Sequence, residues 1–263
     1  MFFEKLCFGA FLVMMTLTSN RVRTGQDFGM LPFMGGSGSS QTTAAVAETP
    51  YSGDLAWGQK SYRELAEDLR SMGLAVPEDL VQDLSEYAGD EMYKEYMRGN
   101  YDIDPAYGYR EILMYMGYEH FGEDLDGTTS THQVYALDFE MFDISSMYSE
   151  AMYGIISISG GEFAITDIEE NTDQVDYENN EGIQILSFKY NGVPYTFEAE
   201  VNNDWLDIDF FGFMNQVLKE QGNPKRILMT SDGGQGGILL YNTPEWGAQL
   251  DALTGLDIYD FDN

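Results

Sequence analysis

Carboxylates are the reactive side chains that this sequence offers in greatest number. The chain has 45 Asp and Glu residues against 13 Lys and Arg, which gives a formal net charge of −32. Asp207 and Asp209 stand two residues apart, and Glu169 and Glu170 are adjacent. Paired carboxylates of this kind carry out acid–base catalysis in glycosidases. Because acids are frequent along the whole chain, such pairs say little about catalysis, and a hydrolase that uses carboxylates is an alternative rather than the main interpretation.

Histidine and cysteine give no indication of a metal or a nucleophile. His120 and His132 are the two histidines, and they lack the His-Glu-x-x-His spacing of zinc enzymes. Cys7 is the single cysteine, so an internal disulfide and a cysteine metal cluster are excluded. No Gly-x-Ser-x-Gly motif occurs around any serine. The sequence therefore predicts no catalytic triad and no transition-metal centre.

Two acidic loops, at residues 102–104 and 124–127, have the residue types that bind calcium. The first lacks glycine at the sixth position of an EF-hand, and neither has glutamate at the twelfth. The glycine-rich segment 233–237 has no Gly-Lys-Ser/Thr ending and precedes a predicted strand, so it is interpreted as a hairpin loop. We expect no cofactor, and at most weak calcium binding.

The segment around Trp205 is the candidate surface for binding a partner. Trp205, Asp207 and Asp209 fall at the predicted start of a helix, where an aromatic ring and its carboxylates could contact another protein. Glu169 and Glu170, which lie in an acidic run, are the other two candidate residues for binding a partner. The alternative is that Trp205 belongs to the core and that the acids complement the helix dipole.

The distribution of charge favours one kind of partner. Residues 111–188 contain 17 acids and no lysine or arginine. A field of this sign repels the phosphates of nucleic acids and attracts basic surfaces. We expect a protein partner with a basic surface and no nucleic acid. An acidic surface that only maintains solubility, in an ordinary or a salt-adapted proteome, is the alternative.

The N-terminal region predicts where in the cell the protein is located. Residues 1–23 contain an apolar run at 6–17, which has the length of a signal sequence or short membrane anchor. Residues 24–58 are rich in Gly, Ser and Thr and predict a flexible linker. We expect a protein of the cell envelope or exterior, tethered to the membrane through residues 6–17; a cytoplasmic protein is the alternative.

A hairpin and a helix are predicted most clearly. β-Branched and aromatic residues at 183–190 and 193–201 flank Asn191-Gly192, a pair typical of a two-residue turn. Pro194 cannot donate to a ladder, which places this position at a strand start or at a sheet edge. The following helix is predicted to have Asp204 as its N-cap and Asp207 in its first turn, and to end at Gly222.

The remaining elements follow from caps and hydrophobic periodicity. Residues 59–117 predict a helical subdomain that begins with a capping box at Ser61, and 118–133 form an acidic connector. In the first part of the region 134–263 we expect a half-buried strand at 135–141, a hairpin over 154–167 and an acidic loop at 169–181. In its second part we expect strands at 226–230 and 238–241. A final helix from Thr243 is expected to bury Trp246, Leu250 and Leu253. Runs of strands joined by turns favour antiparallel pairing.

The predicted fold class is α+β, with a small N-terminal helical subdomain followed by an antiparallel sheet packed against two helices. The predicted function is that of a non-catalytic acidic interaction protein. A cytosolic inhibitor or immunity-type protein that neutralises a basic toxin or nuclease is a second possibility within the binding class. The oligomeric state is not predicted.

Overall fold

The computed structural model describes residues 60–90, 92–95, 103–118, 132–141 and 143–261. All of them belong to one packing unit, residues 52–263. The predicted apolar segment 1–23 and linker 24–58 lie outside the described residues, as do most of the connector 118–133 and all or part of both acidic loops.

The described residues form six helices of three turns, a shorter helical segment at 92–95, and six strands. The helices are α1 (Tyr62–Ser71), α2 (Glu78–Ala88), α3 (Tyr107–Tyr118), α4 (Met147–Ile158), α5 (Asp209–Glu220) and α6 (Pro244–Thr254). The strands are β1 (Val134–Asp138), β2 (Ile165–Asp176), β3 (Glu181–Tyr190), β4 (Val193–Glu200), β5 (Arg226–Ser231) and β6 (Gly236–Asn242).

The strands form two antiparallel sheets of three strands each. The first sheet has the order β1–β6–β5 and the second has the order β2–β3–β4. The predicted α+β class is confirmed, with two sheets in place of the one expected.

The first sheet is covered on both faces. On β1, Tyr135 and Leu137 belong to one hydrophobic cluster, together with α4 and α5. Val134 and Ala136 point the opposite way, into a second cluster that includes side chains of α1, α2, α3 and α6. The prediction of a half-buried β1 was therefore wrong, because helices pack against both of its sides.

Helices α4 and α5 pack between the two sheets. Their buried side chains, among them Ile155 and Phe210, belong to the same cluster as Leu186 and Phe197 of the second sheet and Leu239 of the first. The inward face of the β2–β3–β4 sheet is thus covered, and most side chains on its opposite face are exposed.

The predicted hairpin over residues 154–167 is wrong, because α4 continues as a helix through Ile158. It ends at Gly160 and Gly161, whose φ angles are 61° and 84°. A helix buried on most sides gives an unbroken apolar run that resembles a strand. Gly154 lies where α4 crosses the first sheet: a Cβ atom there would lie within 2.4 Å of three ring atoms of Tyr135.

The predicted acidic loop at residues 169–181 is also wrong, because most of it forms β2. Pairing with β3 runs from Ile165, opposite Tyr190, to Asp176, opposite Glu181, with two irregularities in register. The strand has no hydrophobic alternation because it lies at the sheet edge with most side chains exposed. Its conformation is maintained by backbone pairing with β3.

Helix α5 begins four residues later than predicted. The backbone N–H of Met141 donates to the carbonyl of Asp204 (2.7 Å), and the N–H of Leu206 donates to that of Phe139 (2.8 Å). This extended pairing occupies residues 204–206, so Asp204 is not the N-cap and Asp207 is not in the first turn. The first residue of α5 is Asp209.

Three local signals are confirmed. Ser61 forms the predicted capping box, Asn191 and Gly192 both have positive φ, and Thr243 accepts from the N–H of Trp246 as N-cap. Of the residues expected to be buried by α6, Leu250 is buried, whereas Leu253 is 37% exposed. Pro194 lies on β4, an edge strand as predicted.

Candidate functional site

The inward residues of β3 identify which side chains of the β2–β3–β4 sheet face the solvent. Leu186, Phe188 and Tyr190 are buried, so their neighbours of opposite parity face outward. Ile183 and Ile185 are two of these. Ile183 is 36% exposed, a large fraction for a branched aliphatic side chain on the central strand of a sheet.

Cross-strand pairing places carboxylates opposite the two isoleucines on β4, whereas on β2 it places Asn171 opposite Ile185 and Gln174 opposite Ile183. On β4, Glu200 lies opposite Ile183 and Glu198 opposite Ile185. On β2, Glu169 lies opposite Ser187. We refer to this surface as the outer face, defined by Glu169, Ile183, Ile185, Ser187, Glu198 and Glu200.

The outer face combines negative charge with an aliphatic centre. Its three glutamates are exposed, and Lys189 at the end of the same row forms an ion pair with Asp167 (2.7 Å). Adjacent strands are about 4.8 Å apart and a strand rises about 3.4 Å per residue, so Glu169 and Glu198, which are offset by two strands and two residues, are separated by about 12 Å. A ligand that contacts the isoleucines therefore meets two carboxylates on the β4 side. On the β2 side it meets two amide side chains, with Glu169 one pair further along the strand.

Glu170, a predicted binding residue, points to the inward side of the same sheet. Its carboxylate accepts the backbone N–H groups of Ser149 (2.8 Å) and Tyr148 (3.2 Å) and a hydrogen bond from Gln184. Ser146, the N-cap of α4, gives no side-chain cap, so Glu170 supplies one from β2. Burial raises the pKa of Glu170, and its hydrogen bonds offset part of that shift.

The other predicted binding residues lie at a corner beside the extended segment 204–206. Trp205 is 38% exposed and forms an isolated bridge with Glu140. Asp207 accepts the N–H of Asp209 (3.0 Å), and its own N–H donates to the hydroxyl of Tyr148 (3.2 Å). Part of this corner thus contacts the first turn of α4. A role for Trp205, Asp207 and Asp209 in partner binding stays a prediction.

Glu111 is a carboxylate that sequence reasoning did not single out. It is 4% exposed and accepts hydrogen bonds from the hydroxyls of Tyr93 (2.7 Å) and Tyr62. Burial, together with the adjacent carboxylate, raises the pKa of both tyrosines far above the ordinary value. This arrangement links α1, the segment 92–95 and α3 through one buried acceptor.

Asp232 organises the glycine-rich loop between β5 and β6. Its carboxylate accepts the N–H groups of Gly234 (2.7 Å) and Gly236 (3.1 Å), and burial raises its pKa. The loop amides therefore bind an internal carboxylate. Within residues 60–261, apart from the segments that are not described, no group of three or more His, Cys, Asp or Glu is arranged to hold a metal.

A cleft of about 290 Å³ lies beside Trp246 and Tyr241. Lys225, on its wall, forms an ion pair with Glu162 (2.7 Å) and lies 5.2 Å from the centre of the Tyr241 ring. These two charges satisfy each other. His132 is also on the wall of the cleft, whereas His120 lies outside the described residues.

The chain matches no family model, no curated protein and no solved structure. In the part of the chain that the structure describes, no helix has both the length and the apolar character needed to cross a membrane.

Proposed function

We propose that the protein is a non-catalytic binding protein and that it recognises a protein partner with a basic surface through the outer face. The observation that carries the proposal is the position of Glu198 and Glu200 opposite two outward isoleucines, with Glu169 on the other side of the same strand, opposite Ser187. Opposite charges at an interface speed association and exclude unsuitable partners. The formal net charge of −32 adds long-range attraction for the same class of partner.

The partly or fully buried carboxylates support a binding role over a catalytic one. Glu170 caps α4, Asp232 holds the β5–β6 loop, and Glu111 accepts from two tyrosines. Each has a local structural task that accounts for its burial. The exposed carboxylates of the outer face, by contrast, are available to a second molecule.

Fluorescence anisotropy with synthetic peptides tests the proposal. The probes are two labelled nine-residue peptides with a central isoleucine pair, flanked by lysines in one and by glutamates in the other. We expect the full-length chain to bind the lysine peptide, with an affinity that falls as salt screens the charges. Equal affinity for both peptides, or binding of the lysine peptide that salt does not weaken, would contradict the proposal.

A matched pair of variants separates the outer face from the overall charge. Glu198→Gln with Glu200→Gln and Glu67→Gln with Glu220→Gln each remove two exposed carboxylates, the second pair on α1 and α5. We expect the outer-face variant to weaken binding of the lysine peptide at least about fivefold more than the helix variant, since desolvated local charges matter most. Equal weakening would show that the peptide responds to net charge alone.

A further inference from the structure

The apolar component of the outer face indicates what the partner presents at its centre. Ile183 and Ile185 stand in one row of the central strand, about 7 Å apart, and both point outward. Single exposed aliphatic residues are ordinary, but two in a row with carboxylates opposite them on β4 and Glu169 close by on β2 form a composite surface. A purely charged ligand would leave this aliphatic row in contact with water.

The edges of the same sheet are protected against addition of another strand. On β2 the register shifts twice, between Thr166 and Glu169 and between Asn171 and Gln174, and Asp167 has a φ of 53°. Irregularities of this kind twist an edge away from a partner strand. On β4, Pro194 removes one backbone donor. These features disfavour extension of the sheet by a strand of a partner.

Resting on the proposed function, we infer that the partner is a protein segment with an aliphatic side chain between two cationic ones. The aliphatic group packs on Ile183 and Ile185, and Lys or Arg on each side reaches Glu169 and Glu198. The two cations lie about 12 Å apart to match the carboxylates across β3. The aliphatic contact excludes water from the centre, and this strengthens the ion pairs at its rim.

Two peptides of equal length and charge test the inference with the full-length chain. The first is the lysine peptide with a central isoleucine pair, and the second has serines in place of the isoleucines. We expect the isoleucine peptide to bind about tenfold more tightly, because burial of two aliphatic contacts adds to the same electrostatic attraction. Ile183→Thr with Ile185→Thr should abolish this preference, because it weakens binding of the isoleucine peptide more than binding of the serine peptide.

Val193→Thr is the matched control, since Val193 is an exposed β-branched residue of the same sheet that lies outside the outer face. It should retain the tenfold preference. Threonine keeps the β-branched shape, and an unchanged unfolding midpoint shows that the variants fold. Equal binding of the two peptides by the wild-type chain, with salt dependence retained, overturns this inference alone. Failure of the isoleucine peptide to bind overturns the proposed function as well.

Discussion

The carboxylate of Glu170 accepts the backbone N–H of Ser149 over 2.8 Å, and this contact joins the edge strand β2 to the first turn of α4. Glu169, one residue earlier, points to the opposite side of the sheet. Two adjacent glutamates thus have different tasks. One contributes to the folded state, and the other belongs to the surface that we propose for binding.

Replacing these glutamates should separate the two tasks. Glu170→Ala removes the acceptor for two backbone N–H groups of α4, so we expect the free energy of unfolding to fall by about 1–2 kcal/mol. Glu169→Ala, at an exposed position, should change it by less than about 0.5 kcal/mol. Urea unfolding at neutral pH measures both. Equal effects of the two substitutions would contradict the capping role of Glu170.

The raised pKa of Glu170 predicts a pH dependence. Burial raises this pKa above the ordinary value of 4.5, so folding favours the protonated form. The corresponding stability is complete below the unfolded pKa and is lost as pH rises through the folded pKa. Glu170→Gln cannot ionise and lacks this contribution.

We therefore expect the free energy of unfolding of the wild-type chain to fall relative to that of Glu170→Gln as pH rises from about 4 to about 7. Taking the difference between the two proteins removes the effect of all other carboxylates. A difference that stays constant, or that changes in favour of the wild-type chain, would show that burial does not penalise the charged form of Glu170.

Gly154 tests the close contact between α4 and β1. A methyl group at this position would overlap the ring of Tyr135, so Gly154→Ala should lower the free energy of unfolding by about 1–3 kcal/mol despite the better helix propensity of alanine. At Gly212 of α5, the added carbon would lie 3.6 Å from Phe261, an ordinary contact. Gly212→Ala should be neutral or stabilising by up to about 1 kcal/mol. Thermal unfolding of both variants measures these changes. A Gly154→Ala variant as stable as the wild-type chain would contradict the packing of α4 against β1.

Tyr93 tests the buried acceptor Glu111. Tyr93→Phe removes one hydroxyl donor from this carboxylate and should cost about 1–3 kcal/mol of unfolding free energy. Tyr177→Phe is the control, because Tyr177 is exposed. Urea unfolding should leave the control within about 0.5 kcal/mol of the wild-type chain. A similar small change for Tyr93→Phe would mean that Glu111 does not depend on this donor.

The fold was predictable where a few adjacent residues determine the conformation. Ser61 with Glu64, and Asn191 with Gly192, act through local hydrogen bonds and φ angles, and both predictions are confirmed. The region 154–158 was interpreted wrongly as a strand because burial on most sides of α4 removes the helical periodicity. Strand β2 was missed because its conformation depends on pairing with β3, to which its own sequence gives no signal.

The candidate site was predictable in part. Glu169 was expected to bind a partner and lies on the outer face. The phase of Leu186, Phe188 and Tyr190 already implies that Ile183 and Ile185 point outward, and this signal in the sequence could have located the surface. The different roles of Glu169 and Glu170 could not be predicted, because they depend on the position of α4 relative to β2, which the sequence does not show.

Site-specific photo-crosslinking tests the central claim, that the outer face is where a basic partner binds. The probe is the nine-residue lysine peptide with a benzophenone side chain in place of one central isoleucine, and mass spectrometry of the full-length chain locates the attachment. The account predicts crosslinks within residues 183–200 of β3 and β4, lost after Glu198→Gln with Glu200→Gln. Crosslinks concentrated at Trp205 or on helices α1–α3 would contradict it.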